Sequence, residues 1–223
     1  VELIDPVPGL PDMVYTANGG FIIDGRALGA RFRVDERRGE ERPFMDWFAG
    51  HGFDLVEPVS VQEGEGDFLL VGDTILAGMG FRSTGDSHGE IARVFDREVV
   101  SLRLVDPRFY HLDTAISVLD PVEGPGGVEK ANIAYLPSAF DDYSRRILEE
   151  RYPDAILVDD ADGAVFGLNS ASDGYNVFIS PRATGFEAQL RERGYNPVLV
   201  DLSELLLGGG GIKCCTLELR GKR

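Results

Sequence analysis

Residues 185–201 read GFEAQLRERGYNPVLVD, and this stretch holds the structural unit that the rest of the chain repeats. Phe186 and Leu190 lie four positions apart, so both face one side of a predicted helix whose other side is polar. A glycine and an Asn-Pro pair then stop the helix. The apolar run Val198-Leu199-Val200 predicts a short buried strand, which ends at Asp201.

The end of this unit, a Leu followed by Val or Ile and then an acid, recurs about every fifty residues. The five copies are Leu3-Ile4-Asp5, Leu55-Val56-Glu57, Leu104-Val105-Asp106, Leu157-Val158-Asp159 and Leu199-Val200-Asp201. Amphipathic helical patterns precede four of them, at residues 43–50, 88–100, 141–152 and 185–194. This context predicts one supersecondary unit used five times.

Hairpin signals supply the other strands of each unit. Apolar runs at 68–71 and 75–77 flank Gly72-Asp73, and Asp24-Gly25 follows the run at 20–23. The predicted fold is an α/β propeller of five pseudo-symmetric ββαβ units with helices outside. We expect a single domain, residues 1–223, with a truncated first unit, because Val1 starts directly at a strand. The alternative is an α/β sheet protein with accidental Leu-Val-acid matches.

The composition excludes several classes of function. The chain has 223 residues and a formal net charge of −16, which repels nucleic acid and anionic membrane surfaces. No apolar run approaches the length of about 18 residues that a membrane span needs, and no signal segment is recognisable. The two cysteines, Cys214 and Cys215, are adjacent, so we expect no disulfide framework and a reducing, cytoplasmic location.

The loops after the five acids are expected to meet at one end of the ring, where a site would form. They cover residues 11–18, 63–67, 110–114, 167–170 and 208–216. Cys214 follows four glycines, which let a ligand approach the backbone, so its thiol is a candidate nucleophile. The alternative makes Cys214 and Cys215 small buried residues of the last strand. Because side chains alternate along a strand, at most one would face the site.

His111 is the preferred acid–base candidate among the three histidines. It lies two residues before Asp113, so both side chains face one side of an extended segment. The alternative is a packed histidine. His51 stands at a helix end and is expected to cap the helix or face solvent, whereas His88 begins a helix and is expected to face solvent.

Glu63, Glu65 and Asp67 alternate with glycines, and such a row of carboxylates could grip an organic cation. The alternative is a solvated turn. The sequence has no EF-hand pattern and no His pair at metal-ligand spacing, so neither a metal ion nor a cofactor is expected.

Five segments, in the same order along the chain, resemble the guanidino-group-modifying, or pentein, superfamily, above all the dimethylarginine dimethylaminohydrolases. The segments are residues 10–16 (LPDMVYT), 63–67 (EGEGD), 80–84 (GFRST), 111–114 (HLDT) and 211–216 (GIKCCT). The resemblance covers essentially the whole chain, without the family's first strands and helix. It implies the pentein fold and hydrolysis of a guanidino compound through a covalent cysteine thiouronium intermediate.

The resemblance also implies a role for each candidate residue. Cys214 is the expected nucleophile, His111 the acid–base and Glu65 the third catalytic residue. Arg82 is expected to pair with a substrate α-carboxylate. The other expected substrate-binding residues are Asp12, Asn18, Glu63, Asp67, Asp113 and Asn169. The family commonly spaces its acids as acid-Gly-Gly-Asp, and the extra residue here leaves Glu63 and Glu65 as alternatives for the catalytic acid.

The implied reaction converts Nω,Nω-dimethyl- or monomethyl-L-arginine to citrulline and an alkylamine. Asn18 stands where the family often has an acid, so the alternative is an arginine deiminase or dihydrolase acting on L-arginine. A non-catalytic pentein that binds ribosomes is a third class, which needs no convergent Cys, His and acid. The expected partner is a small guanidino compound, with neither nucleic acid nor membrane. A homodimer is compatible with the sequence, which does not set the oligomeric state.

Overall fold

The computed structural model describes residues 1–120 and 131–221, which form twelve short strands and six α-helices. The strands are β1 Gly20–Ile23, β2 Arg26–Gly29, β3 Asp54–Val56, β4 Phe68–Val71, β5 Thr74–Met79, β6 Glu98–Arg103, β7 Ile116–Val118, β8 Ile133–Tyr135, β9 Ile156–Leu157, β10 Ala171–Ser172, β11 Asn176–Ile179 and β12 Asn196–Leu199. The helices are α1 Glu41–Gly50, α2 Asp86–Phe95, α3 Asp142–Arg151, α4 Asp160–Ala164, α5 Thr184–Glu192 and α6 Ser203–Leu207.

The strands of the described ranges form four three-stranded sheets that share one topology. In each sheet, an antiparallel hairpin is followed by a helix and by a third strand parallel to the second. The sheets are β1-β2-β3, β4-β5-β6, β7-β8-β9 and β10-β11-β12. Asp24-Gly25 and Gly72-Asp73 form the turns of the first two hairpins, as predicted. The chain is thus a mixed α/β protein built from small sheets, which confirms the predicted class.

The predicted helix at residues 88–100 ends early. Helix α2 stops at Phe95, because Asp96 takes a left-handed conformation with φ 51°. The chain then enters β6, where Val100 pairs with Leu76 of β5. The prediction of helix up to residue 100 was therefore wrong, since an apolar run that fits a helix face fits a buried strand equally well.

The Leu-Val-acid pattern marks strands only where a partner strand is present. Leu55, Leu157 and Leu199 lie in β3, β9 and β12, each paired in parallel with the second strand of its sheet. Leu104 follows β6 and forms an isolated bridge with Phe140. The copy at residues 3–5 forms no strand, so the prediction was wrong there.

The helices pack apolar faces against these sheets. Phe44 and Phe48 of α1 are buried in one cluster with Ile22 of β1. Ile91 of α2 packs with Phe21, whose ring contacts other aromatic rings edge-on. No helix among residues 1–120 and 131–221 is long and apolar enough to cross a membrane.

Short turns precede the first strand of three sheets, at Thr16–Gly19, Gly64–Gly66 and Leu112–Thr114. These turns contact one another, and the backbone N–H of Ala17 donates to the carbonyl of Cys214 at 3.0 Å. The loops that hold most of the candidate residues therefore converge, although each lies in a different part of the sequence.

Candidate active site

The turn that carries the three acids depends on its two glycines. Gly64 has φ +53°, and a Cβ there would lie 2.4 Å from the carbonyl oxygen of Gly20. A Cβ on Gly66 would lie 2.3 Å from Nδ2 of Asn18. The glycines thus let the turn pack against the start of β1, and the three acids that alternate with them have different partners.

Glu63 forms the central ion pair of the site with His111. The Nε2 atom of His111 donates to Oε2 of Glu63 at 2.7 Å, and both side chains are buried. Burial acts to raise the pKa of Glu63, but the hydrogen bond and charge of His111 and the charge of Arg82 outweigh it and lower the pKa to about 2. Burial acts to lower the pKa of His111, yet Glu63 and two nearby aspartates raise it overall. These contacts favour the protonated form of His111.

Arg82 reaches the same carboxylate oxygen as His111. Its Nη1 lies 3.2 Å from Oε2 of Glu63, and its guanidinium lies 4.7 Å from the centre of the Tyr110 ring. Its side chain keeps 24% of its surface exposed, whereas that of Glu63 is fully buried. Arg82 thus lies between the buried acids and solvent, where a substrate carboxylate could contact it.

Glu65 lies in a different environment from Glu63. Its carboxylate accepts from Nζ of Lys213 at 2.6 Å and from Nη1 of Arg220 at 2.5 Å, and both cations also pair with Glu218. These four side chains form an ion cluster in which Glu65 and Lys213 are buried, whereas the side chain of Glu218 is 47% exposed. Glu65 thus pairs with two cations from the end of the chain, whereas Glu63 is the acid of this turn that contacts His111.

Asp67 is buried and its oxygens accept three hydrogen bonds. They come from the N–H and Oγ of Ser83, at 3.1 and 2.6 Å, and from the N–H of Leu112 at 3.1 Å. Burial raises the pKa of Asp67. The carboxylate therefore links the turn of Glu63 to the loop of His111. Little of the hydrogen-bonding capacity of Asp67 remains for the contact with substrate that the resemblance implies.

Cys214 is buried beside Asp113 and Asn169. Its sulfur lies 3.5 Å from Oδ2 of Asp113 and accepts from Nδ2 of Asn169 at 3.1 Å. Burial and the charge of Asp113 raise the pKa of Cys214 well above its ordinary value. Cys215 is half-buried and its thiol contacts the carbonyl of Ile212. The two cysteines occupy separate environments, as predicted, but residues 212–215 form turns and not a strand.

Asp113 carries a lone pair that the protein does not use. Within the described ranges, its Oδ1 is the buried side-chain oxygen that lacks a hydrogen-bond partner. Burial raises the pKa of Asp113 to about 6. A buried acceptor without a donor costs stability, so this oxygen is available to a cationic N–H donor of a ligand.

Asn18 is oriented by a residue that the sequence reasoning missed, Arg37. Nη1 of Arg37 donates to Oδ1 of Asn18 at 2.6 Å, and Nη2 donates to the carbonyl of Asp12 at 3.0 Å. Glu40 pairs with the same guanidinium at 2.7 Å. Asn18 therefore lies near Glu63, with Nδ2 at 3.4 Å from its carbonyl, while Asp12 participates through its backbone. Arg37 lies in a charged run typical of a solvated surface, so no local signal indicated its burial.

The glycine-rich segment before Cys214 packs against two tyrosines. The hydroxyl of Tyr15 donates to the carbonyl of Leu205 at 2.8 Å, and that of Tyr110 donates to the carbonyl of Gly209 at 3.2 Å. A Cβ on Gly210 would lie 2.1 Å from the Tyr15 ring. Two loops distant in sequence thus hold the segment that leads to Cys214.

The remaining histidines lie outside this site. His51 is exposed and stacks on Trp47, as expected of a helix-end residue. His88 is buried, and its ring nitrogens contact Oγ of Ser101 at 2.7 Å and the carbonyl of Gly78 at 3.2 Å. The expectation that His88 faces solvent was wrong, because α2 packs its first turn onto the sheet. No group of three or more potential metal ligands occurs in residues 1–120 and 131–221.

Known proteins resemble this chain over nearly all of its length. No protein-family model matches the chain. The chain is 54% identical over 219 residues to an N(G),N(G)-dimethylarginine dimethylaminohydrolase from Mycobacterium tuberculosis, covering 98% of this chain and 70% of that protein. It is 40% identical over 225 residues to ArgZ, a bifunctional arginine dihydrolase/ornithine cyclodeaminase from Synechocystis, covering 98% of this chain and 31% of ArgZ.

The solved structures give the same result. The N-terminal domain of ArgZ, crystallised as a cysteine-to-serine variant bound to substrate, superposes with a TM-score of 0.91 at 38% identity, covering 99% of this chain and 80% of that one. The predicted class, a cysteine-dependent hydrolase of guanidino C–N bonds, is confirmed. Within that class, the chain belongs to the dimethylarginine dimethylaminohydrolase family.

Proposed function

We propose that this protein hydrolyses Nω,Nω-dimethyl- or monomethyl-L-arginine to citrulline and an alkylamine, with Cys214 as nucleophile. The observation that carries the proposal is the buried arrangement around Asp113. The thiol lies on one side of this carboxylate, and a protonated His111 paired with Glu63 lies two residues away. The 54% identity to a protein of this activity supports the proposal.

Charge favours a guanidinium as the ligand of this site. Glu63 and Asp113 are buried, and Oδ1 of Asp113 has no donor within the residues that the structure describes. A planar cation with several N–H groups supplies such donors and offsets the cost of burying the acids. Arg82, whose side chain is 24% exposed, is placed to meet an α-carboxylate.

The reaction follows from these groups. The bound guanidinium stabilises the thiolate of Cys214, and the thiol proton leaves to solvent. The sulfur attacks the guanidinium carbon, and the C–N bond to the methylated nitrogen breaks while His111 gives its proton to the leaving amine. The product is a thiouronium adduct. Water then adds to its carbon and gives a proton to His111. As the C–S bond breaks, the proton of the new hydroxyl passes to the departing thiolate, which restores the thiol of Cys214, and citrulline leaves.

We propose Glu63, and not Glu65, as the acid that holds His111. The 2.7 Å contact with His111 supports this choice, as does the pairing of Glu65 with Lys213 and Arg220. Asn169 and Asp67 act on neighbouring protein groups in this scheme. No cofactor takes part in it.

An arginine dihydrolase is the second candidate, and Asn18 is the observation that favours it. Its amide stands where a carboxylate is common in the family, and Arg37 holds it at 2.6 Å. An amide recognises a guanidinium differently from a carboxylate. The 40% identity to ArgZ, a bifunctional arginine dihydrolase, adds support.

We also infer the architecture in which this site forms, a single domain of five units around one axis. Four sheets of equal topology support it. The end of the chain supports closure, because the carbonyl of Arg220 accepts from the N–H of Gly25 at 2.9 Å, in the first sheet. A cytoplasmic location and a homodimer stay predictions.

The decisive experiment supplies the full-length protein with dimethylarginine or with arginine and quantifies citrulline, ornithine, dimethylamine and ammonia. Citrulline with equimolar dimethylamine supports the first proposal. Ornithine and ammonia from arginine support the second. Cys214→Ser is the control for each product, and product formation by that variant would exclude both proposals.

A further inference from the structure

Asn169 uses every polar atom of its side chain on the groups around the nucleophile. Nδ2 donates to the sulfur of Cys214 at 3.1 Å and to the backbone carbonyl of Asp113 at 3.2 Å. Oδ1 accepts from the backbone N–H of Cys214 at 3.2 Å. The side chain is 1% exposed. All of these contacts are to protein groups, whereas the resemblance implies that Asn169 binds substrate.

We propose that Asn169 is a positioning residue that holds the sulfur of Cys214 beside Asp113 and donates an N–H to the thiolate. The proposal rests on the assignment of Cys214 as nucleophile. It gives Asn169 two tasks, to fix the turn that carries the sulfur and to favour the ionised sulfur over the protonated one.

The contacts of Asn169 determine which way its amide points. The backbone N–H of Cys214 only donates, so it requires the amide oxygen. The carbonyl of Asp113 only accepts, so it requires the amide nitrogen. A flipped amide would lose both bonds. The group that faces the sulfur is therefore an N–H donor.

The sulfur needs such a donor because its other surroundings oppose ionisation. Burial and the carboxylate of Asp113 both raise the pKa of Cys214, whereas the amide of Asn169 and the backbone N–H of Gly211 lower it. Once the thiol has lost its proton, Asp113 no longer accepts a hydrogen bond from the sulfur, and the carboxylate and the thiolate repel each other. The two N–H groups then hold the thiolate in place.

The glycine at 211 makes room for this arrangement. A Cβ on Gly211 would lie 2.7 Å from Oδ1 of Asn169, so any side chain there would displace the amide. Gly211, the first residue of the segment at 211–216, therefore allows Asn169 to approach the backbone closely.

Three variants in a Cys215→Ala background, where Cys214 is the only thiol, test the proposal. Asn169→Asp keeps the oxygen that accepts from Cys214 but replaces the N–H donor. Asn169→Ala removes both. The matched control is Asn176→Ala, whose amide bonds Asp173 at 2.8 Å in strand β11. Alkylation of Cys214 by iodoacetamide is followed against pH without substrate, and kcat and KM are measured with dimethylarginine and arginine.

We expect the alkylation profile of both Asn169 variants to move to higher pH, with the control at the parent value. Loss of one hydrogen bond to a charged group should lower kcat about tenfold to a hundredfold, with a much smaller change in KM. An unchanged alkylation profile in a folded Asn169→Asp protein would overturn the proposal. An effect on KM alone would also overturn it, because the amide would then contact substrate.

The test separates this inference from the proposed reaction. Alkylation needs no substrate, so the pH profile decides the role of Asn169 even if the parent turns over neither arginine compound. If Asn169→Ala does not fold, Asn169→Asp keeps nearly the same shape and decides the outcome.

Discussion

Glu63 and His111 form a buried ion pair across 2.7 Å, although 48 residues separate them in sequence. In the proposed reaction, His111 gives a proton to the leaving amine and later takes one from water. The charge state of this histidine therefore controls the rate. The pair raises the pKa of His111 and lowers that of Glu63 to about 2. Each partner therefore favours the ionised form of the other, and the imidazolium form of His111 can protonate a leaving amine.

Glu63→Gln should lower kcat and shift its pH dependence. His111 must be protonated to act as an acid, and the raised pKa keeps it so at higher pH. Without the carboxylate, the pKa of His111 falls, so the high-pH limit of kcat should move to lower pH and kcat at pH 8 should drop about 10²-fold or more. A pH–rate series and an NMR titration of His111 measure this, and an unchanged high-pH limit would contradict it.

Glu65→Gln should act on stability instead. It leaves Lys213 and Arg220, which are largely buried, with Glu218 as their acidic partner. Breaking a buried ion network costs about 3–5 kcal/mol, so urea unfolding should show a loss of that order. The pH limit of kcat should stay at the parent value. A shift equal to that of Glu63→Gln would show that Glu65 is the catalytic acid.

Asp113→Asn should stabilise the protein at pH 8 and abolish turnover. Burial raises the pKa of Asp113 to about 6, above the value of about 4 in the unfolded chain, so the ionised carboxylate destabilises the fold as the pH rises from 4 to 6. Removing it should add about 2–3 kcal/mol at pH 8 and progressively less towards pH 4. Unfolding curves at both pH values check the trend; a gain that is larger at pH 4 would have the wrong sign.

Cys214→Ser and His111→Ala should both abolish turnover for different reasons. The serine variant keeps the buried acids, so it should bind substrate without forming an adduct. The His111 variant loses proton transfer, which contributes roughly 10²–10⁴ in rate. A thiouronium adduct should accumulate in it if amine expulsion is slowed less than hydrolysis. Mass spectrometry of quenched reactions detects the adduct. An adduct on Cys215 would show that Cys215, and not Cys214, is the nucleophile.

Arg82→Ala should raise KM for amino-acid substrates by about 30- to 150-fold, the effect of losing a bidentate charged contact. Arg82 also contacts Glu63 at 3.2 Å, so kcat should fall as well. Arg82→Lys is the control, because it keeps the charge without the planar fork. Agmatine, which lacks the α-carboxylate, should respond far less to the substitution. An equal rise in KM for the amino-acid substrate and for agmatine would refute recognition of the α-carboxylate by Arg82.

The sequence by itself determined the repeated unit, the hairpin turns and two reactive residues. Hairpins at Asp24-Gly25 and Gly72-Asp73 are local, because two adjacent residues set the turn and the flanking runs pair with each other. Cys214 and His111 stand out because few side chains can act as nucleophile or as acid near neutral pH. The segments that hold Cys214 and His111, together with the three other matching segments, were enough to indicate the family.

Only the tertiary structure decided which groups each acid contacts. Glu63 and Glu65 lie in one glycine-rich turn with nothing local to distinguish them, and their partners, His111 and Lys213, lie far along the chain. The same holds for Asn169, which the family resemblance implies as a substrate ligand and whose side chain contacts the sulfur of Cys214 at 3.1 Å. Local patterns set the conformation of a segment, whereas the charge and hydrogen bonding of a buried group are set by whatever packs against it.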